Sequence, residues 1–267
     1  MMLSDYHIHT EFCDGKSSAE EIVRKAAELG FDVIGFSSHG YTPYDLRYCM
    51  KDTEGYISAI GRLKEKYRDS VDVLLGVEED CFAPVDREKF DYIIGSCHYI
   101  RRGGEYYPVD SSPQHFFKCM ELFGGDRVAL VESYLDEFCA CLEKRRPDMI
   151  GHFDLFTKYD ESHGTGFLDD VKCIRIAEEH LKELLKMGLV FEVNTGAIAR
   201  GLRTLPYPSM PLLSMIAEKG GRIVLTSDCH DAANLGFAFA ETRELLRRVG
   251  FKETWHFTKD GFVASGL

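Results

Sequence analysis

The chain has 267 residues, 45% hydrophobic and 28% charged, so it can bury a large core and is no disordered tail. With 44 acidic against 32 basic residues, its net charge of −12 speaks against nucleic acid or an anionic membrane as partner, since both need a positive footprint. No apolar run is long enough for a membrane span and the N-terminus lacks a signal pattern, while the nine scattered cysteines read as reduced thiols; the expectation is a cytoplasmic protein.

Short apolar or β-branched runs alternate with stretches of helical period along the whole chain. Residues 3–9 read as a first strand, followed by a helix over 18–29. That helix opens on Ser17 or Ser18 with Glu20 or Glu21 three residues on, carries an apolar stripe of Ile22, Val23, Ala26 and Leu29, and stops at Gly30. Further runs at 31–37, 71–77, 91–97, 148–153, 189–194 and 222–227 are separated by helical stretches at 53–67, 113–145, 169–187, 209–219 and 234–249. The stretch 113–145 is long enough for two helices. Strands alternating with helices imply βαβ units and a parallel sheet in one domain over residues 1–267, either a barrel or a doubly wound open sheet. Periodicity does not choose between them.

Each run ends in residues able to hold a metal or a substrate. In chain order these are His7 and His9, Ser38-His39, Glu78-Glu79-Asp80, Cys97-His98, Gly151-His152, Val193-Asn194 and Asp228-Cys229-His230. The carboxyl ends of parallel strands lie at one rim, so residues far apart in sequence converge there. Six of the ten histidines fall at such ends; His115, His163, His180 and His256 do not, and read as structural. Alternation along a strand points His7 and His9 to one side, and Asp228 and His230 likewise, while Cys97 and Cys229 face elsewhere. Asp5 shares the face of His7 one layer deeper, where it could fix an imidazole tautomer. A histidine–carboxylate set without thiolate suits zinc, manganese or iron, and its size exceeds one tetrahedral ion, implying two to three with a shared carboxylate. Such a cluster supplies hydroxide near neutral pH and clamps a phosphoryl group.

These motifs together resemble the PHP (polymerase and histidinol phosphatase) superfamily, and within it the histidinol-phosphate phosphatase branch. The likeness runs nearly end to end: Asp5-Tyr6-His7-Ile8-His9-Thr10, Cys13-Asp14-Gly15-Lys16, Ser38-His39, Gly76-Val77-Glu78, Ser96-Cys97-His98, Gly151-His152-Phe153-Asp154, Asn194-Thr195-Gly196 and Thr226-Ser227-Asp228-Cys229-His230. The resemblance implies a distorted (β/α)7 barrel with a trinuclear metal site. It assigns His7, His9, Glu78 and Asp228 to a first ion, Glu78, His98 and His152 to a second, and Asp14, His39 and His230 to a third. It also prefers Glu78 over the adjoining Glu79, through the spacing G-x-E. Residues 191–203 and 206–209 look like the phosphatase branch and offer Arg200 and Arg203 to a substrate phosphate, with Asn194 beside them.

The implied reaction is hydrolysis of L-histidinol phosphate, in histidine biosynthesis, by direct attack of metal-activated water, with Asp228 and His230 handling protons. No phosphate-binding loop of the G-x-x-x-x-G-K-[ST] type and no G-x-S-x-G nucleophile motif occurs to suggest another route. The alternatives are a phosphatase of the same superfamily acting on phosphotyrosine proteins or another small ester, and a non-catalytic metal-binding module. A protein substrate needs an open rim, whereas a small cationic ester suits a pocket closed by loops such as 41–48 and 103–111.

Overall fold

The first strand, β1 (Ser4–Asp5), is short because Asp5 turns its carboxylate back onto the chain and accepts from the His7 N–H. The computed structural model describes residues 2–267. Ser18 opens α1 (Ala19–Leu29) with both arms of a capping box to Glu21, and Gly30 closes it in the left-handed conformation at φ 74°. β2 (Val33–Phe36) lies parallel to β1, and Asp52 caps α2 (Thr53–Tyr67) by accepting from the Gly55 N–H. β3 (Asp72–Asp80) is long enough for two partners: residues 72–75 pair with β2 and residues 76–80 with β4 (Tyr92–Ser96).

The chain then leaves the sheet for an antiparallel hairpin, β5 (Tyr99–Arg102) and β6 (Glu105–Pro108), turned by Gly103 and Gly104 at positive φ. Two helices, α3 (Pro113–Leu122) and α4 (Arg127–Arg145), precede β7 (Met149–Ile150). The short α5 (Asp160–His163) and α6 (Val171–Lys186) precede β8 (Val190–Asn194). The one-turn α7 (Gly196–Ala199) and α8 (Met210–Glu218) lead to β9 (Arg222–Thr226). After α9 (Phe239–Val249) the chain ends in a second antiparallel hairpin, β10 (Glu253–Thr258) and β11 (Gly261–Gly266). Both hairpins fall outside the strands expected from sequence.

Seven parallel strands form one sheet in the order β1-β2-β3-β4-β7-β8-β9. Its two edges meet just beyond β1 and β9, where Ile8 bridges Cys229; the His9 N–H donates to Cys229 O and the Cys229 N–H to His7 O. This is a nearly closed, distorted (β/α)7 barrel. Helices cover it outside, burying Ile22, Val23, Ile60, Leu135 and Leu181 against the strands. Inside, alternate residues fill the lower barrel with an apolar layer of Val33, Leu74, Tyr92, Ile94, Met149, Val190 and Val224. Tyr92 spans the interior, donating its hydroxyl to Tyr6 O and to Phe36 O. Any side chain at Gly35 or Gly76 would collide with that ring, which is why both strands carry glycine there. Phe257 and Phe262 of the last hairpin pack beneath this layer. The upper barrel is left to polar residues. Among the described residues no helix is long and apolar enough to cross a membrane.

Candidate metal centre and active site

Alternation along β3 sends Glu78 and Asp80 into the barrel and Glu79 out of it. Glu79 is engaged outside by the Arg145 guanidinium at 2.8 and 2.7 Å and by the Val85 N–H at 2.8 Å. Glu78 sits at the centre of the rim. Its Oε2 lies 3.2 Å from His7 Nε2, 3.5 Å from His9 Nε2 and 2.9 Å from His39 Nδ1. Its Oε1 lies 3.2 Å from His98 Nε2 and 3.0 Å from His152 Nε2. Asp228 Oδ1 approaches His9 Nε2 at 3.3 Å and His7 Nε2 at 3.9 Å. Asp14 Oδ1 faces His230 Nε2 at 3.4 Å, His39 Nε2 at 3.7 Å and His9 Nδ1 at 3.9 Å. The nine ligands expected from sequence thus come together from six strand ends and the loop after β1.

The donor set fits divalent cations. His7 Nε2, His9 Nε2 and Glu78 Oε2 are buried, point at one another and have no hydrogen-bond partner. Leaving such atoms unpaired costs about 1–3 kcal/mol each, and a shared cation satisfies all three. Ligand atoms within 4.8 Å of one another form three groups: His7, His9 and Glu78; His39, Glu78 and His98; and His9, Asp14, His39 and His230. Burial opposes a charge on Glu78, but His7, His39 and His98 hold it well below the usual carboxylate range. Burial likewise opposes the charge of Asp228, and Arg200 and His7 outweigh it, keeping its pKa well down. Burial pushes His9 down to about 3, helped by His230 and His39, so this imidazole is neutral and free to donate a lone pair. His7 is buried too, yet Glu192, Glu78 and Asp228 raise its pKa well above normal. The field that favours a proton there equally favours a metal ion in the proton's place.

Sequence reasoning passed over Glu192, gave Asp80 only as a strand-end residue able to hold a metal or a substrate, and offered Asp5 a role under an imidazole that it does not fill. Glu192 Oε1 lies 2.5 Å from His7 Nδ1, and its Oε2 accepts from the His152 N–H at 2.6 Å. Asp80 Oδ2 lies 3.1 Å from His98 Nδ1 and accepts the His98 N–H at 3.0 Å. Alternation is the signal that puts both on the inner face, two residues from Asn194 and Glu78 respectively. Asp5, expected under an imidazole, instead accepts the Ser227 N–H at 3.0 Å and the Ser227 hydroxyl. The Asp5 carboxylate therefore joins the His7 backbone N–H to β9 and does not reach the His7 imidazole.

A cavity of about 490 Å³ opens above the cluster, within the range for small-molecule sites. Its floor includes Asp14, His39, Glu78, His98, His152, Asp228 and His230. Its wall takes Asp45, Arg47 and Tyr48 from the segment after β2, Asp110 and Ser111 from the segment after β6, and Lys158 and Arg200. Arg200 Nη2 donates to Asp228 Oδ2 at 2.9 Å, with a third of the side chain still exposed. Gly196 leaves room for this pair, since a Cβ there would stand 2.9 Å from both Arg200 Nη2 and Asp228 Cβ.

Two expected substrate contacts are corrected. Asn194 is wholly buried: its Nδ2 donates to Asp228 Oδ2 at 3.3 Å and its Oδ1 accepts the Gly196 N–H at 2.8 Å, so it holds Asp228 and the turn. Arg203 is also buried, donating to Thr157 Oγ1 and to Pro206 O and lying 4.3 Å over the Tyr207 ring. The chain turns at Gly201, φ 67°, which carries Arg203 away from the side occupied by Arg200. The cysteines behave as alternation requires: Cys97 Sγ points to Tyr99 O at 3.3 Å, and no cysteine joins the ligand groups among the described residues.

Comparison with known proteins follows the same lines. The family model described as PHP domain matches residues 5–196. A probable histidinol-phosphatase of Deinococcus radiodurans is 30% identical over 267 residues, covering 93% of this chain and 94% of its own. A putative histidinol phosphatase of Listeria monocytogenes superposes with a TM-score of 0.77 at 22% identity, over 89% of this chain and 99% of that one. The histidinol phosphate phosphatase of Lactococcus lactis, solved with Zn, L-histidinol and phosphate, gives 0.63 at 20% identity, over 98% of each chain. The two structures are likenesses of fold.

Proposed function

The chain belongs to the PHP domain family, and from that premise we propose that it hydrolyses L-histidinol phosphate to L-histidinol and phosphate. The observation that carries this reading is the small walled cavity with the histidine–carboxylate cluster as its floor and Arg200 at its side. The curated relative described above is named for the same reaction. The enclosure by the segments after β2 and β6 favours a small ester over phosphotyrosine on a protein surface.

Two to three divalent ions, zinc, manganese or iron, are assigned to His7, His9, Glu78 and Asp228; to Glu78, His98 and His152; and to Asp14, His39 and His230. When bound, they acidify water and offset charge on the phosphoryl oxygens. Arg200 receives phosphate oxygens: Asp228 holds one edge of its guanidinium, and the rest faces the cavity. Asp228, kept ionised by Arg200 and His7, has no proton to donate and offers its carboxylate as a hydrogen-bond acceptor to water in the cavity. His230 has the most exposed imidazole of the cluster, with a quarter of its side chain accessible, and stands where the leaving group meets solvent. Lys158 donates to Asp110 O at 2.8 Å and meets Asp110 Oδ2 at 3.3 Å, so this wall presents little net charge to the cationic part of the substrate.

The test is phosphate release by metal-reconstituted protein from a panel of phosphomonoesters that includes L-histidinol phosphate. A strong preference for that ester is expected. Equal, low rates across the panel would overturn the substrate assignment.

A further inference from the structure

Asp80 does more than touch His98. Its Oδ1 accepts the Tyr44 hydroxyl at 2.5 Å and the Phe82 N–H at 3.1 Å, while its Oδ2 serves His98. Tyr44 lies on the irregular segment between β2 and α2, next to the cavity-lining Asp45. Its ring stacks on Tyr106 of the β5–β6 hairpin, centroids 4.0 Å apart and planes at 14°, and meets Tyr99 edge-on at 5.1 Å. An unbroken series of contacts therefore joins the cavity wall to the cluster: Tyr44 hydroxyl, Asp80, His98 imidazole, Glu78.

We infer that Tyr44 is a positioning residue that couples the order of segment 40–51 to metal occupancy at His98; this rests on the metal-dependent reading above. A ligand to Nε2 requires the His98 tautomer with its proton on Nδ1, and Asp80 is the acceptor that selects it. The Tyr44 hydroxyl in turn fixes the plane of that carboxylate. Cation binding at Nε2 acidifies Nδ1–H and draws Asp80 tighter, and Tyr44 transmits the change to the wall. The coupling is reciprocal by linkage: whatever the ordered segment adds to metal affinity, the metal adds to the order of the segment. The segment has other ties: the Tyr99 hydroxyl donates to Asp45 Oδ2 at 2.9 Å and bypasses the ligands, while the Gly40 N–H donates to Glu78 O at 2.9 Å and the Met50 N–H to His39 O at 3.0 Å through the backbone alone.

Tyr44→Phe removes the hydroxyl and keeps the stacked ring, so the full-length protein loaded with Zn²⁺ tests the idea directly. Two quantities are read: ions retained per chain during chelator titration, and hydrogen exchange of residues 40–51 with and without Zn²⁺. In the wild type, Zn²⁺ slows exchange of the segment. In Tyr44→Phe, one ion is expected to be lost at roughly tenfold weaker affinity, the Zn²⁺-dependent protection around residue 44 shrinks, and kcat falls more than KM rises. Tyr106→Leu, which spoils the stack and spares the hydroxyl, keeps its ions. Wild-type retention and protection in Tyr44→Phe overturn the coupling and leave the metalloenzyme reading standing. Equal loss in Tyr106→Leu overturns it in favour of packing. A wild type that takes up no Zn²⁺ overturns the reading beneath it.

Discussion

Glu78 and Glu79 are chemically identical neighbours with opposite duties, decided by which side of β3 each faces. Glu78→Gln is expected to hurt metal binding most among the proposed ligands, because its carboxylate faces five imidazole nitrogens and would be shared between ions. Elemental analysis of purified protein checks this: Glu78→Gln should lose metal, while Glu79→Gln keeps it and loses only the link to Arg145. Normal metal content and rate in Glu78→Gln would contradict the assignment. The two arginines separate in the same way. Arg200→Ala should lower kcat/KM by roughly a hundredfold or more with metal content unchanged, since a hydrogen bond to an ion is worth about 1.5–3 kcal/mol. Arg203→Ala should instead lower the unfolding midpoint, because it strips a buried guanidinium from Thr157 and Tyr207. An unaltered kcat/KM in Arg200→Ala would leave the ions alone as the phosphate receptor. At this scale the histidines were legible because strand ends announce them. The supporting roles of Asp80 and Glu192 were not, since alternation places both on the inner face but does not separate a carboxylate that supports a ligand from one that is a ligand.

At the scale of elements, the seven barrel strands were legible because each is an apolar run bounded by helical periods. The two hairpins were passed over, although Gly103-Gly104 and Asp260-Gly261 are recognisable turn pairs. Their strands lie partly on the surface and carry mixed residues, so they lack the continuous apolarity that marked the others. The last hairpin matters to stability at the barrel's lower end. His256 on β10 is buried there, its Nδ1 2.6 Å from Ser4 Oγ, and burial with nearby Arg243 lowers its pKa from the usual 6.5 to about 4. Below pH 6.5 the unfolded chain takes up a proton that the folded chain refuses until about pH 4. Its neutral form therefore contributes stability above pH 6.5 that is lost as pH falls toward 4. His256→Gln should flatten the decline of Tm across that window relative to wild type in parallel melts. An identical pH slope in the two proteins would show that His256 does not carry this sensitivity.

For the molecule as a whole, the cluster is a staple: its ligands come from six of the seven strand ends, and the unfolded chain cannot assemble them. Ions that bind only the folded form stabilise it by about 2.7 kcal/mol at a hundredfold excess over Kd, which corresponds to a Tm rise of roughly 5–10 °C for a chain this long. Calorimetry before and after chelation measures it, and a Tm indifferent to chelator would speak against the cluster as a folding constraint. The seam between β1 and β9 carries a further consequence for how the protein is made. Asp5 and Ser227 are 222 positions apart, and the bridge from Ile8 to Cys229 is nearly as distant, so the ring shuts only when both segments are present. During vectorial synthesis His7, His9 and Asp14 emerge long before Asp228 and His230. Seven of the nine candidate ligands, up to His152, are thus made before Asp228 and His230 complete the set. Closing the β1–β9 seam and bringing Asp228 and His230 to the cluster are one long-range contact, the kind that forms slowly.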